Sequence, residues 1–267
     1  MANRRVCKLG FVSIALALLV SGCVTVEDLG SLERNRDPDK AVEVYTKLGV
    51  KYLQKRDMEN AARTLKRAYD IDPASAIVNN ALALFYTVEN EPEQVVKHYE
   101  AALKEDPGFS AARNNYGAYL FEQKRYAEAI KQLEIAVKDY RYTRRFQSFE
   151  NLGVCYQETG KLELAEKAFR RALQLNPRMP RSLIEMAGLS FAKSDYMAAE
   201  TYLNQLDKMG VKPSARQLWL EIQISRIRGD KNKLASQALA LKNLFPLSRE
   251  YKAYLESLEK TNNMATP

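Results

Sequence analysis

The chain is poor in the residues that chemistry most often needs. Among 267 residues there are one histidine, three cysteines and one tryptophan. The lone histidine, His98, stands beside Lys97 and has no second histidine or cysteine pair with which to hold zinc. No glycine-rich phosphate loop and no nucleophile elbow is present. Asp and Glu are plentiful but fall at the spacings expected of solvated helix faces. These gaps argue against an enzyme, a metal site and a small-molecule substrate. Long apolar runs are missing as well, except for the stretch from Leu9 to Val20. At about a dozen residues it is shorter than the roughly 20 that a helix needs to cross ~30 Å of hydrocarbon.

That run follows Arg4, Arg5 and Lys8 and leads into small residues, which reads as a cleaved secretory signal peptide over residues 1–22. The string Val20-Ser21-Gly22-Cys23 resembles the bacterial lipobox, with Val20 where that motif usually has leucine. The resemblance implies that Cys23 becomes the acylated first residue, so a covalent acyl or diacylglycerol lipid is the one non-protein group expected. A single chain at ~0.8 kcal/mol per buried methylene holds weakly, whereas several hold for good. Val24 stands where an aspartate would retain a lipoprotein at the inner membrane, which implies a place on the periplasmic face of the outer membrane. Loss of residues 1–22 takes Arg4, Arg5 and Lys8 with it and lowers the formal charge from +8 to +5. That balance can orient the chain toward an acidic partner or surface and says nothing of its fold. Cys155 is left as the sole thiol, so no intramolecular disulfide is expected. Its setting, Leu152-Gly153-Val154-Cys155-Tyr156, predicts a small buried core residue.

A string recurs through the rest of the chain. Leu48-Gly49, Tyr52, Ala61, Leu65, Ala68 and Pro73 return 34 residues later as Leu82-Ala83, Tyr86, Val95, Tyr99, Ala102 and Pro107. A third copy has Tyr116-Gly117, Leu120, Ala129, Leu133 and Ala136, and a fourth Leu152-Gly153, Tyr156, Ala165, Phe169, Ala172 and Pro177. Two weaker copies follow, with Met186-Ala187, Asp195, Ala199 and Leu203, then Gly229-Asp230, Leu234, Leu241 and Pro246. Small residues at the Gly and first Ala positions let two antiparallel helices approach, large ones fill the space beside them, and proline stops the second helix. Pairs such as Arg56-Asp57 and Gly160-Lys161 mark the corner inside each hairpin.

These copies resemble the tetratricopeptide repeat, which implies an all-α solenoid of about six helix-turn-helix units. The units are expected at 42–75, 76–109, 110–143, 146–179, 180–213 and, degenerate, 215–248. A polar tether is expected over 23–39. A capping helix over 249–260, with Tyr251, Tyr254, Leu255 and Leu258 on one face, would close the open end, and the tail from Thr261 should fray. Trp219 reads as core packing in the sixth unit. The third junction breaks the rule, with Arg141 in place of proline and two extra residues. Its basic and aromatic run Tyr140-Arg141-Tyr142-Thr143-Arg144-Arg145-Phe146 reads as a solvated turn, and nucleic acid is not an expected partner.

In this architecture the first helices line a groove for a peptide or helix of another protein. Counted from the Leu-Gly positions, the groove comprises Val50, Leu53, Ile77, Asn80, Leu84, Val88, Asn114, Phe121 and Val154. Chaperone-binding relatives clamp a terminal carboxylate with Lys and Asn. Here those positions hold Thr46 with Val50, Asn80 with Leu84, and Asn114 with Ala118, so an apolar strand or amphipathic helix suits the surface better.

The lipobox, tether, six repeats and closing helix together resemble the lipoprotein pilotins of type IV pilus biogenesis, the PilF/PilW type. The resemblance implies that the partners are the secretin subunit of the pilus channel and outer-membrane lipid, with insertion and multimerisation of the secretin as the task. A scaffold for peptidoglycan enzymes or outer-membrane assembly machinery is the other reading.

Overall fold

The computed structural model describes residues 37–265, with side chains to Glu259; the expectations for the signal peptide, Cys23 and most of the tether lie outside the described residues. Thirteen helices and no strand occur among the described residues. They are α1 (Pro38–Gln54), α2 (Met58–Ile71), α3 (Ala76–Glu89), α4 (Pro92–Glu105), α5 (Ser110–Glu122), α6 (Tyr126–Ala136), α7 (Arg145–Glu158), α8 (Leu162–Leu175), α9 (Pro180–Ala192), α10 (Tyr196–Lys208), α11 (Ala215–Arg228), α12 (Lys231–Leu244) and α13 (Arg249–Ala265). The first twelve pair as six antiparallel hairpins, an all-α repeat solenoid.

One turn builds every hairpin. Arg56, Asn90, Lys124, Gly160, Ser194 and Gly229 all have positive φ, between 58° and 75°. The residue after each donates its amide five residues back: Asp57 to Tyr52, Glu91 to Tyr86, Arg125 to Leu120, Lys161 to Tyr156, Asp195 to Ser190 and Asp230 to Ser225, at 2.8–3.0 Å. This Schellman closure satisfies a carbonyl at the end of the first helix. The same residue opens the second helix: the Asp57, Asp195 and Asp230 side chains accept from the amides of Asn60, Ala198 and Lys233, an N-cap worth ~1 kcal/mol.

Seven residues before each left-handed residue stands a small one, and nine after it a large one. Gly49 faces Leu65, Gly117 faces Leu133 and Gly153 faces Phe169 so closely that an added Cβ would lie 2.5–2.7 Å from the partner side chain. Ala83 with Tyr99 and Ala187 with Leu203 repeat the arrangement in buried form. In the sixth hairpin the sizes are exchanged: Ile222 is the large member, fully buried, and Ala238 the small one. This exchange keeps the summed volume and is why that copy looks degenerate as a string.

Each second helix packs onto the following first helix, and the buried clusters run the length of the stack. At the closed end Trp219 meets Tyr254 edge-on at 6.4 Å, half-buried between α11 and α13. Three boundaries differ from expectation. Asp37 caps α1 through the Lys40 amide at 3.1 Å, so Pro38 and Asp39 belong to the helix and not to the tether. The closing helix, expected to end at Lys260 and fray, runs to Ala265, because no glycine or proline interrupts it before Pro267. The second helix of the third hairpin stops at Ala136, and the chain turns through residues 137–144 without proline.

Candidate partner-binding groove

First helices pack directly on first helices, α1 on α3, α3 on α5, α5 on α7, α9 on α11 and α11 on α13. This closer layer forms the inner side of the stack. The residues expected to line it divide into three groups. Val88 is 59% exposed and Ile77 39%. Val50, Leu53, Asn80, Leu84 and Phe121 are half-buried, and Val50 and Leu53 lie against the core of the first hairpin. Asn114 and Val154, by contrast, are buried at 6% exposure, so their surface is taken up by neighbouring helices.

The reason for Asn114 is a set of polar rungs that tie successive first helices together. Asn80 Oδ1 accepts from Asn115 Nδ2 at 3.1 Å. Asn114 Oδ1 accepts from Ser148 Oγ at 2.9 Å and Asn151 Nδ2 at 3.2 Å. Glu150 Oε2 accepts from both the amide and the hydroxyl of Ser182, at 3.0 and 2.7 Å. Glu185 Oε2 accepts from Gln157 Nε2 at 2.9 Å and pairs with Arg216 Nη2 at 2.8 Å. A buried polar atom left alone costs ~1–3 kcal/mol, so each rung selects its neighbour as well as binding it. Sequence reading missed Asn115, Ser148, Asn151, Glu150, Ser182 and Glu185. Their signal was available as polar residues recurring near the repeat length on the first helices.

The groove surface holds three openings. A cleft of 390 Å³ between the second and third hairpins is lined by Leu84, Thr87, Pro92, Asn115, Ala118 and Tyr119 among others. Beside it a hollow of only 30 Å³ is bounded by Phe121, Asn151, Val154 and Arg181, whose guanidinium lies 5.9 Å from the centre of the Phe121 ring. A third opening of 530 Å³ lies between α9, α11 and α13, with Gly188, Arg216, Trp219 and Arg249. The first half of the groove is thus apolar with an asparagine seam, and the second half carries the charged groups.

His98 and Cys155 play packing parts. Asn79 Nδ2 donates to the carbonyls of Pro73 and Ser75, so its oxygen faces His98 Nδ1 at 2.9 Å and that nitrogen must carry the proton. The imidazole stacks on Tyr86 at 5.3 Å, and burial, with Lys97 nearby, lowers its pKa. Cys155 is fully buried, and burial pushes its thiol up to about 12. Among the described residues no group of three or more His, Cys, Asp or Glu could hold a metal. Glu221 departs further from the expected solvated faces than Glu150 or Glu185. Glu221 is 9% exposed, accepting from Gln217 and Gln237 Nε2 at 3.0 Å each, and burial raises its pKa against those two bonds.

Comparison with known proteins places this geometry. Family models described as tetratricopeptide repeat match residues 42–75 and 109–178. The type IV pilus assembly protein PilF of Pseudomonas aeruginosa is 37% identical over 239 residues, covering 90% of this chain and 94% of that one. The solved structure of Pseudomonas aeruginosa PilF superposes with a TM-score of 0.79 at 36% identity, over 83% of this chain and all of that one. PilW, described as a widely conserved type IV pilus biogenesis factor, shares the fold, with a TM-score of 0.69 at 23% identity over 80% of this chain and 98% of its own. With the repeat register, the hairpin turn and nearly the whole length in common, the chain belongs to the PilF family of tetratricopeptide-repeat proteins of type IV pilus biogenesis.

Proposed function

We propose that the chain is an outer-membrane pilotin, which holds the secretin subunit of the type IV pilus, carries it to the outer membrane through the lipid on Cys23 and promotes its multimerisation. The likeness to PilF over nine-tenths of the chain is the observation that carries this reading. The groove supports it. Ile77 and Val88 stand exposed beside the half-buried Leu84 on α3, an apolar strip suited to a strand edge or amphipathic segment that would otherwise aggregate. The rigid rungs leave this strip preformed, which lowers the ordering cost of binding. The mechanism has no catalytic step. Binding shields the client, and the anchor supplies the address.

Two variants separate the parts. Ile77→Glu with Val88→Glu alters exposed side chains only, so the helical signal should persist while secretin multimers and pilus assembly are lost. Cys23→Ala should leave secretin binding intact and misplace both proteins. Secretin rings that form normally in both variants would refute the proposal.

A further inference from the structure

The turn from α6 to α7, residues 137–144, is the longest between hairpins, and the interval from Lys124 to Gly160 exceeds the others between left-handed corner residues by one or two. Tyr142 is half-buried, while the tip of the turn stands in solvent. Tyr140 at its tip is 80% exposed and carries the one exposed aromatic ring among the described residues. Lys138, Arg141 and Arg144 are exposed around it, and Arg178 is exposed in the next inter-hairpin turn. Arg145 lies 5.9 Å from the centre of the Phe149 ring. The carboxylate in the turn is already engaged: Asp139 Oδ2 accepts from Ser110 Oγ at 2.8 Å and Oδ1 from the Arg141 amide at 3.0 Å. The Arg141 guanidinium stays 3.9 Å away with 83% of its side chain exposed. Asp139 offsets one of the three cations in the turn, so Lys138, Arg141 and Arg144 leave an excess of positive charge around a ring with an apolar body and a polar tip.

We propose that this edge of the stack, Lys138 to Arg144 with Arg178, rests on the anionic phospholipid headgroups of the membrane that anchors the chain. The inference rests on the lipid-anchor reading. Four cations at a surface match an anionic leaflet, and tyrosine suits the boundary between headgroup and acyl chain. Placement selects a bilayer over other polyanions. The turn lies at the end of the stack where first helices begin, which is where Pro38 opens α1. First helices packed ~8–10 Å apart put the start of α7 roughly 30 Å from that of α1. The fourteen residues from 23 to 36 can span at most about 50 Å. The anchored segment thus enters from the same end and reaches far enough to let this edge touch the bilayer.

The test uses the full chain in vesicles of phosphatidylethanolamine with or without phosphatidylglycerol. An environment-sensitive fluorophore is placed on Thr143→Cys in the turn or on Glu163→Cys at the opposite, hairpin end, and nitroxide-bearing lipid serves as quencher. Quenching is expected at position 143 only, rising with phosphatidylglycerol and falling with salt. Arg141→Gln and Arg144→Gln should each weaken engagement about fivefold, the equivalent of ~1 kcal/mol per cation near the surface. Equal quenching at both positions, or no dependence on lipid charge, would overturn the proposal. So would protection of position 143 by an oligonucleotide or acidic polypeptide and not by vesicles. The parent chain reports on anchoring separately. Cys155 is buried, so thiol labelling of the native parent would reveal an unacylated Cys23 or a retained Cys7.

Discussion

Gly153→Ala should destabilise the protein although alanine is the better helix former, and the size of the effect follows from Phe169. A Cβ built on Gly153 lies 2.7 Å from Cε1, 2.8 Å from Cδ1 and 2.9 Å from Cζ of that ring. Carbon atoms prefer ~3.5–4.0 Å, so the ring must retreat by about 1 Å. It cannot do so freely, because Phe169 is fully buried in the cluster that joins the second to the fifth hairpin. Overpacking of this kind costs ~1–3 kcal/mol. The gain in helix propensity returns about 1 kcal/mol, which leaves a net loss of up to ~2 kcal/mol, or several degrees in Tm at this chain length. Gly188 is the internal control. There the added Cβ crowds only the Nη2 of Arg216, at 3.1 Å; that nitrogen is paired with Glu185 but needs to give by only a few tenths of an ångström, so Gly188→Ala should be milder than Gly153→Ala. The fifth hairpin already sets Ala187 against Leu203. Gly153→Ala combined with Phe169→Leu should therefore recover stability, with a favourable coupling of ~1 kcal/mol or more in a double-mutant cycle. Urea unfolding followed by far-ultraviolet circular dichroism measures all four. If Gly153→Ala proved as stable as Gly188→Ala, or the cycle showed no coupling, the close-approach argument would fail.

Two further outcomes follow from the turns and the buried imidazole. Lys124 at φ 58° and Ser194 at φ 62° hold a conformation natural to glycine. Lys124→Gly and Ser194→Gly should each stabilise by about 0.5–1 kcal/mol, while Gly160→Ala at the matching corner should cost ~1 kcal/mol; thermal unfolding reads the signs, and a loss in the two glycine variants would count against the strain argument. His98 has a lowered pKa in the folded chain, so the unfolded chain takes up the proton first. Stability should be complete above the ordinary histidine value near 6.5 and fall as pH drops below it toward the folded value. His98→Gln, which keeps a donor for Asn79 without titrating, should lack that part of the slope in urea titrations between pH 7 and pH 5.

The hairpin register was legible because glycine, alanine and proline carry positional chemistry that composition does not blur: Gly49, Gly117 and Gly153 each stand where a partner ring or leucine leaves no room for a methyl group. The sixth hairpin was harder to read, since exchanging large and small between Ile222 and Ala238 preserves the packing while erasing the motif. Arg56-Asp57 and Gly160-Lys161 were legible as corners, whereas Asn90 and Ser194 were not, because the positive φ belongs to the Schellman closure and not to any one residue type. The groove was legible in outline only. Spacing identified the face on which Ile77, Leu84 and Val88 lie, but it could not distinguish an asparagine open to a partner from Asn114, whose lone pairs are held by Ser148 and Asn151. Glu221 escaped notice for the same reason, since its burial depends on Gln217 and on Gln237 from the neighbouring helix.

The hairpin corner has a bearing on how such chains change length. Because Asp57, Asp195 and Asp230 each close one helix and cap the next, inserting a residue there would break both ends at once. The linkers between hairpins vary in length, and the longest, residues 137–144, is accommodated by an early end to α6 at Ala136 with the corner at Lys124 unchanged. Length changes are therefore better tolerated on the rim of the rod that carries the linkers than on the rim that carries the corners.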